Sequence, residues 1–206
     1  MDEETLLRWA SLDEQVAPEN TSRVLLVFAG LLGLGRLLAE GKDDVLPRLR
    51  ASASDSRWRV REGVATALQH LGDADFTRLC DEMERWLEGS WLEQRAAAAA
   101  VCEPRFMNSE EDVRRVLAIL DRITAAVAAA DERAGADFRA LRQSLGYCWS
   151  VAVAARPERG EPMMERWLPT ADRDVRWIMR ENLRKRRLSR ADPEWVACWT
   201  SELSRS

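Results

Sequence analysis

Hydrophobic positions recur at helical spacing along almost the whole 206-residue chain. Within residues 109–130, for example, Val113, Val116, Leu120 and Val127 are separated by three, four and seven positions and so fall on one helix face. Ser109 and Asp112 at the start of this stretch resemble a capping box. No stretch shows the alternating, β-branched pattern that is typical of a strand. The pattern therefore predicts an all-α protein.

Glycines and prolines divide the pattern into about eleven helices with short connections, which favours packing in pairs. We expect antiparallel pairs formed by helices over 2–16 and 21–40, 43–52 and 56–71, 74–88 and 91–103, 109–130 and 136–155, and 160–168 and 172–187. A further helix over 192–203 would cap the end. The chain is predicted to be one domain, with an N-terminal cap and first pair at 1–42, repeats at 43–188 and a C-terminal cap at 189–206.

Two short sequence patterns recur along the chain. Met-Glu-Arg-Trp-Leu occurs at 83–87 and again at 164–168, and an arginine follows each final leucine eight residues later. The second pattern, Leu-x5-Asp-x2-Trp-x2-Arg-Glu, begins at Leu49 and again at Leu168. The offsets of 81 and 119 residues are close to two and three periods of about 40 residues. A helix pair of that length cannot bury its own apolar face, so the units are expected to stack as a solenoid.

The segments 55–68 (Asp-x-x-Trp-Arg-Val-Arg-Glu-Gly-Val-Ala-x-Ala-Leu) and 174–176 (Asp-Val-Arg) resemble HEAT repeats, including the HEAT-like bacterial DNA-alkylation-repair glycosylases. The resemblance covers residues 43–188. It implies a right-handed α-solenoid of about five HEAT-like antiparallel helix pairs plus a C-terminal capping helix. More narrowly, segments 58–62, 102–104 and 145–150 look like a group of bacterial HEAT-repeat proteins without an established activity.

The same resemblance suggests structural roles for repeated residues. It implies an Asp–Arg ladder between repeats, in which Arg61 would pair with Asp55 and Arg180 with Asp174. Repeated tryptophans are expected to pack between helical units; these are Trp58, Trp86, Trp167 and Trp177. Trp149 lies outside this pattern, and we predict that it lines a pocket with Tyr147.

Basic charge is concentrated towards the C-terminal end. Residues 172–190 carry a net charge of +5, whereas the whole chain carries −4 and residues 1–22 and 73–93 carry −5 each. Arginines make up 29 of the 31 basic residues, and a guanidinium forms planar, two-pronged contacts with phosphate. We predict a surface for an anionic partner formed by Arg173, Arg176, Arg184, Lys185, Arg186, Arg187 and Arg190. Five arginines, Arg173, Arg176, Arg180, Arg184 and Arg187, would form a stripe on one helix. The alternative is that these side chains are solvated and complement the helix C-terminus.

Other chemical signals are weak, and no catalytic, cofactor or metal site is predicted. Four widely separated cysteines (Cys80, Cys102, Cys148 and Cys198) are expected to be buried, reduced thiols. Glycines within 30–35 favour a close helix contact over a dinucleotide loop. We expect His70 to complement the carbonyls at the end of its helix.

The acidic residues Asp2, Glu3 and Glu4 argue against a signal or transit peptide, and the longest apolar run, 24–35, is too short to cross a bilayer. We therefore expect a cytoplasmic protein without membrane contact. The HEAT resemblance implies a non-enzymatic scaffold that binds a macromolecular partner through a concave face, and a protein is the expected partner. The alternative is a DNA-binding protein of the alkylation-repair type, with the C-terminal arginines on phosphates. Such a glycosylase would need tryptophans with an aspartate, whereas Trp58 and Trp177 are each followed by a glutamate four residues later. The oligomeric state is left open.

Overall fold

The computed structural model describes residues 2–205, and every regular element in this part of the chain is helical, which confirms the all-α prediction. Short 3-10 turns occur at Asp43–Val45 and Pro104–Phe106. The α-helices are α1 (Glu3–Ala10), α2 (Val24–Ala39), α3 (Leu46–Ser52), α4 (Trp58–Ala74), α5 (Phe76–Trp86), α6 (Trp91–Val101), α7 (Glu110–Ala129), α8 (Ala136–Ala155), α9 (Pro157–Glu165), α10 (Arg173–Leu183), α11 (Arg186–Ala191) and α12 (Pro193–Arg205).

The helices form two compact units, Met1–Val101 and Cys102–Ser206. In the first unit, α2 packs along α4 and α4 packs along α6, while α1 and α5 pack against these helices. In the second unit, α8 packs along α10, and α10 also contacts α12. Alternate helices therefore pack in succession in each unit, as α2–α4–α6 in the first and α8–α10–α12 in the second. The prediction of one continuous domain stays a prediction.

Glycines allow α2 to approach its neighbours closely. A Cβ added at Gly30 would lie 2.6 Å from the backbone nitrogen of Ala10 in α1. A Cβ added at Gly35 would lie 2.4 Å from the backbone oxygen of Ala67 in α4. These distances are too short for any side chain, so glycine is required where the helix backbones meet. The predicted close helix contact of the 30–35 segment is confirmed.

The segment between α1 and α2 differs from its prediction. We expected a helix over 2–16, but α1 ends at Ala10. The carboxylate of Asp13 accepts a hydrogen bond from the backbone N–H of Val16 at 2.9 Å, which favours a turn over a continued helix. The carbonyls of this turn accept hydrogen bonds from Arg57, at the start of α4. A contact from 40 or more residues away therefore holds the segment outside a helix.

The repeated tryptophans do not share one environment. Trp86 is fully buried and its indole N–H donates to Glu82 at 2.9 Å, as expected of a packing residue. Trp167 and Trp177 are half-buried. Trp58 is 52% exposed, and the guanidinium of Arg59 lies 4.8 Å from its ring centroid. The packing role predicted for Trp58 is therefore wrong.

The ladder that the repeat pattern implies has different partners in the structure. The buried carboxylate of Asp174 accepts a hydrogen bond from Arg142 at 2.5 Å, and Arg133 lies 3.5 Å from it. Arg180 instead donates to the backbone carbonyl of Leu203 in α12. The implied Arg180–Asp174 pair is therefore wrong, because Asp174 points towards α8 and the turn before it.

Asp55, the other acidic residue of the implied ladder, binds Arg57 at 2.6 Å. Arg61 donates to the backbone carbonyls of Asp55 and Ser56, both at 2.7 Å. The arginine of the repeat pattern thus stabilises the turn before α4 mainly through backbone groups.

Candidate anion-binding site

The basic C-terminal segment is not one continuous helix. Helix α10 ends at Leu183, and Lys185 has an extended backbone (φ −79°, ψ 122°) before α11 begins. In an unbroken helix, the apolar row through Met179 and Leu183 would continue onto the charged positions 186–187. The break instead brings Leu188 inwards, where it is 2% exposed. The predicted single stripe of arginines over 172–187 is therefore wrong.

Asn182 anchors the end of α10 to α8. Its side chain is fully buried, and its amide oxygen accepts a hydrogen bond from the backbone N–H of Ser150 at 2.8 Å. Its amide nitrogen donates to the backbone carbonyls of Leu145 and Ile178, each at 2.8 Å. Because both ends of the amide are satisfied, the last turn of α10 has a defined position, and so does the basic segment that follows it.

Five basic side chains line one open depression of about 750 Å³ in the second unit. We call this the basic depression; its lining residues are Ala154, Arg184, Lys185, Arg186, Arg187, Arg190 and Ala191. None of these lining residues is acidic. Five of the seven residues predicted to bind an anionic partner therefore lie together. The sequence did not indicate the two alanines, which leave space between the basic side chains.

The other two predicted residues, Arg173 and Arg176, lie outside the depression. Arg173 is the first residue of α10, eleven positions before Arg184 and so about 16 Å away along the helix axis. Arg176 is half-buried and donates to the backbone carbonyl of Thr170 at 3.3 Å. Arg176 thus stabilises the turn before α10.

The basic side chains of the depression differ in how far they are paired. Arg184 and Lys185 both contact Glu181, at 2.5 and 3.9 Å. Arg186 and Arg190 are exposed, and neither has an ion pair or side-chain hydrogen bond within residues 2–205. They lie four positions apart on α11 and therefore on the same face of it. These two guanidinium groups are the most available for an external anion.

Arg187 is held by an aromatic ring. Its guanidinium carbon lies 4.3 Å from the ring centroid of Tyr147, and its Nη2 donates to the tyrosine hydroxyl. Its Nη1 is buried and has no hydrogen-bond partner in the described part of the chain. The contact orients Arg187 without neutralising its charge, because the partner is a phenol ring and hydroxyl and not a carboxylate.

Tyr147 and Trp149 do not share a pocket wall. Tyr147 is 45% exposed, whereas Trp149 is fully buried and its indole N–H donates to the hydroxyl of Thr124 at 3.0 Å. Residues two positions apart on a helix point in nearly opposite directions, so one side chain faces solvent and the other the core. Of the two, only Tyr147 contacts the basic depression, through Arg187.

One acidic side chain contacts the basic depression. Glu181 lies 2.5 Å from Arg184 and 3.9 Å from Lys185. A separate group of carboxylates lies on α9 and at the start of α12, where burial and the charges of Asp192, Glu165 and Glu158 raise the pKa of Glu161 above its ordinary value. At Arg184 and Lys185, the positive surface therefore meets a carboxylate.

A second depression, of about 1060 Å³, lies in the first unit. Most of its lining is apolar, with Leu6, Leu32 and Leu37 among the residues, and Arg36 and His70 also line it. His70 lies inside α4, which continues to Ala74, and its Nδ1 is buried without a hydrogen-bond partner among the described residues. The predicted role of His70 at a helix end is therefore wrong.

All four cysteines are free thiols. Cys80, Cys102 and Cys148 are buried as expected, but Cys198 is exposed on α12, so the prediction of burial is wrong for that residue. Burial, together with a hydrogen bond from the Cys102 thiol to Cys148, raises the pKa of the Cys102 thiol well above its ordinary value. Cys102 is therefore a weak nucleophile in the folded protein.

Within residues 2–205, no group of three or more histidine, cysteine, aspartate or glutamate side chains is arranged to hold a metal ion. None of the described helices combines the length and apolarity needed to span a bilayer. The site therefore consists of the arginine-rich depression and Glu181 beside it. No known protein family, curated protein or solved structure matches the chain.

Proposed function

We propose that this protein is a non-enzymatic, HEAT-like α-solenoid that binds a negatively charged protein partner at the basic depression. The packing of alternate helices supports the solenoid part of the proposal. A Cβ at Gly63 of α4 would lie 3.1 Å from both Phe28 and Leu31 of α2, and Gly35 lies against Ala67 further along. The later residue of α4 contacts the later residue of α2, so the two helices run parallel to each other. The second helices of neighbouring HEAT pairs are arranged in the same way.

The observation that carries the binding proposal is the convergence of five basic side chains on one depression, with Arg186 and Arg190 left unpaired. Like charges held close together repel one another, so such a cluster does not stabilise the fold by itself. A partner with complementary charge would remove this repulsion. It would also be steered towards the site by the local field, although the net charge of the protein is −4.

A protein partner fits this surface better than a nucleic acid. The chain as a whole is acidic, and the carboxylate of Glu181 contacts two of the basic side chains of the depression. No aromatic side chain is among the lining residues, whereas binding of single-stranded nucleic acid usually relies on stacking of bases on aromatic rings. One face of Tyr147, the neighbouring ring, is covered by Arg187. DNA binding is therefore the alternative outcome of the test.

The test uses a fluorescein-labelled oligoglutamate peptide and a labelled DNA duplex, with fluorescence anisotropy as the measurement. We expect the peptide to bind at low salt and to dissociate as salt is raised. Arg186→Ala/Arg190→Ala should weaken binding by about tenfold, since each exposed charge pair contributes up to about 1 kcal/mol. The unpaired, exposed positions of both arginines predict an unchanged circular dichroism spectrum for this variant.

Arg139→Ala is the matched control. Arg139 is exposed on the same helix as Ala154 but lies fifteen residues before it, about 22 Å along the axis. This variant should bind the peptide as the wild type does. Absence of peptide binding at low salt would overturn the proposal. Tighter binding of the duplex than of the peptide would support the DNA-binding alternative, and the logarithm of its binding constant should then fall with the logarithm of salt concentration with a slope near −0.9 per phosphate contacted. Release of methylated bases from DNA would refute a non-enzymatic role.

A further inference from the structure

We infer that the basic depression recognises a phosphorylated serine or threonine in a segment of the partner protein, in preference to a carboxylate-rich segment. This inference rests on the proposed function and specifies its ligand. Three features support it: the kinds of basic side chains in the lining, the fixed position of Arg187 and the limited extent of the positive surface.

The composition of the lining favours phosphate over carboxylate. Four of its five basic residues are arginines. A guanidinium offers two parallel N–H donors that match two oxygens of one phosphate, and a phosphomonoester has three terminal oxygens and a charge of about −1.5 to −2 at neutral pH. Arg186 and Arg190 are four positions apart on α11, with Cβ atoms about 5–6 Å apart, so both can reach a single phosphate group.

Arg187 adds a preoriented charge to this pair. The ring and hydroxyl of Tyr147 fix its guanidinium, and its Nη1 has no acceptor within the described residues. Arg187 also lines the basic depression, so a phosphate bound there would lie close to its charge. Because the side chain is already ordered, less conformational entropy is lost on binding.

The extent of the positive surface indicates one phosphate group or a short cluster of them. Glu181 contacts Arg184 and Lys185 at 2.5 and 3.9 Å, so a carboxylate lies directly beside the lining. The regular phosphates of a nucleic acid backbone would approach this carboxylate. A peptide can place a phosphate near Arg186 and Arg190 and a neutral or basic residue beside Glu181.

The experiment compares three fluorescein-labelled peptides of one sequence that differ only in a central serine, phosphoserine or glutamate. Anisotropy titrations at ~0.15 M ionic strength should give an affinity for the phosphoserine peptide at least about tenfold above that for the glutamate peptide. Arg186→Lys/Arg190→Lys keeps both charges but removes the forked donors. This variant should bind the glutamate peptide with unchanged affinity and should lose most of its preference for the phosphoserine peptide. The control Arg139→Ala should have the affinities of the wild type for both peptides.

The outcomes separate this inference from the function on which it rests. Equal affinity for the phosphoserine and glutamate peptides would overturn phosphate recognition and leave acidic-partner binding intact. Failure of both peptides to bind would overturn both. Single-stranded DNA that binds more tightly than the phosphoserine peptide would overturn the inference in favour of nucleic acid. If inorganic phosphate displaced the labelled phosphoserine peptide at concentrations similar to those of the unlabelled phosphopeptide, the peptide chain would contribute nothing to binding. That result would also contradict the inference.

Discussion

Substitution of Arg57 by methionine tests whether one buried arginine holds the segment between α1 and α2 in place. Arg57 is 4% exposed and makes five side-chain hydrogen bonds. Two go to the carboxylate of Asp55, at 2.8 and 2.6 Å. Three go to the backbone carbonyls of Leu12, Asp13 and Ala17, at 3.0, 3.1 and 2.9 Å. Methionine retains much of the apolar stem and removes every one of these donors.

The expected cost follows from what the substitution leaves behind. Removal of one partner from a buried ion pair costs about 3–5 kcal/mol, because the other charge stays buried without compensation. The carboxylate of Asp55 is 21% exposed and keeps a 2.9 Å hydrogen bond from the backbone N–H of residue 57, which places the cost at the lower end. We expect Arg57→Met to lower the free energy of unfolding by about 3 kcal/mol.

Urea unfolding followed by tryptophan fluorescence measures this loss. With a slope of about 2 kcal/mol per molar urea, the midpoint should fall by about 1.5 M at an unchanged slope. The control is Arg159→Met, which breaks an ion pair with Glu110 at 2.9 Å whose side chains are 62% and 65% exposed. This control should cost less than about 1 kcal/mol. If Arg57→Met cost no more than the control, the role of Arg57 as a buried tether would be refuted.

Four further predictions follow from the contacts above. Asn182→Ala should lower the free energy of unfolding in urea by about 3 kcal/mol, because the backbone N–H of Ser150 and the carbonyl of Leu145 lose their hydrogen-bond partner. Asn20 is exposed, so the control Asn20→Ala should stay within about 0.5 kcal/mol of the wild type. Gly35→Ala should cost about 1–3 kcal/mol through overlap with the α4 backbone, and an unchanged melting temperature would contradict that contact. Burial would raise the pKa of Asp172, but backbone hydrogen bonds and Arg133 together lower it below its ordinary value. Ionised Asp172 therefore stabilises the fold above about pH 4, and this stabilisation is lost as the pH falls through the lowered pKa. The difference in unfolding free energy between wild type and Arg133→Met should therefore shrink below about pH 4, and a constant difference would refute the coupling. A thiol reagent such as DTNB should modify Cys198 rapidly and the other three cysteines only on unfolding, so rapid modification of more than one thiol would show that their burial is wrong.

Local sequence was sufficient where a single helix decides the outcome. The spacing of apolar residues predicted α7 and α8 almost to the residue, and the capping box formed by Ser109 and Asp112 is present at the start of α7. The glycines of the 30–35 segment indicated close helix packing before their partners in α1 and α4 were known. Most of the basic depression was predictable for the same reason, since its five charged side chains lie within seven consecutive positions.

Tertiary structure alone decided features that depend on contacts between distant parts of the chain. The break after Leu183 depends on burial of Leu188 and on the hydrogen bonds of Asn182 to α8, and these contacts between helices cannot be predicted from the sequence of the segment. Arg173 and Arg176 are separated from the basic depression by the length of α10, and Arg176 is also held by the carbonyl of Thr170. The partner of Asp174 is Arg142, 32 residues earlier, because the packing of α10 on α8 determines which guanidinium is within reach. Sequence periodicity determines which face of a helix is buried, whereas the choice of partner for a charged side chain is set by distances between helices that only the fold defines.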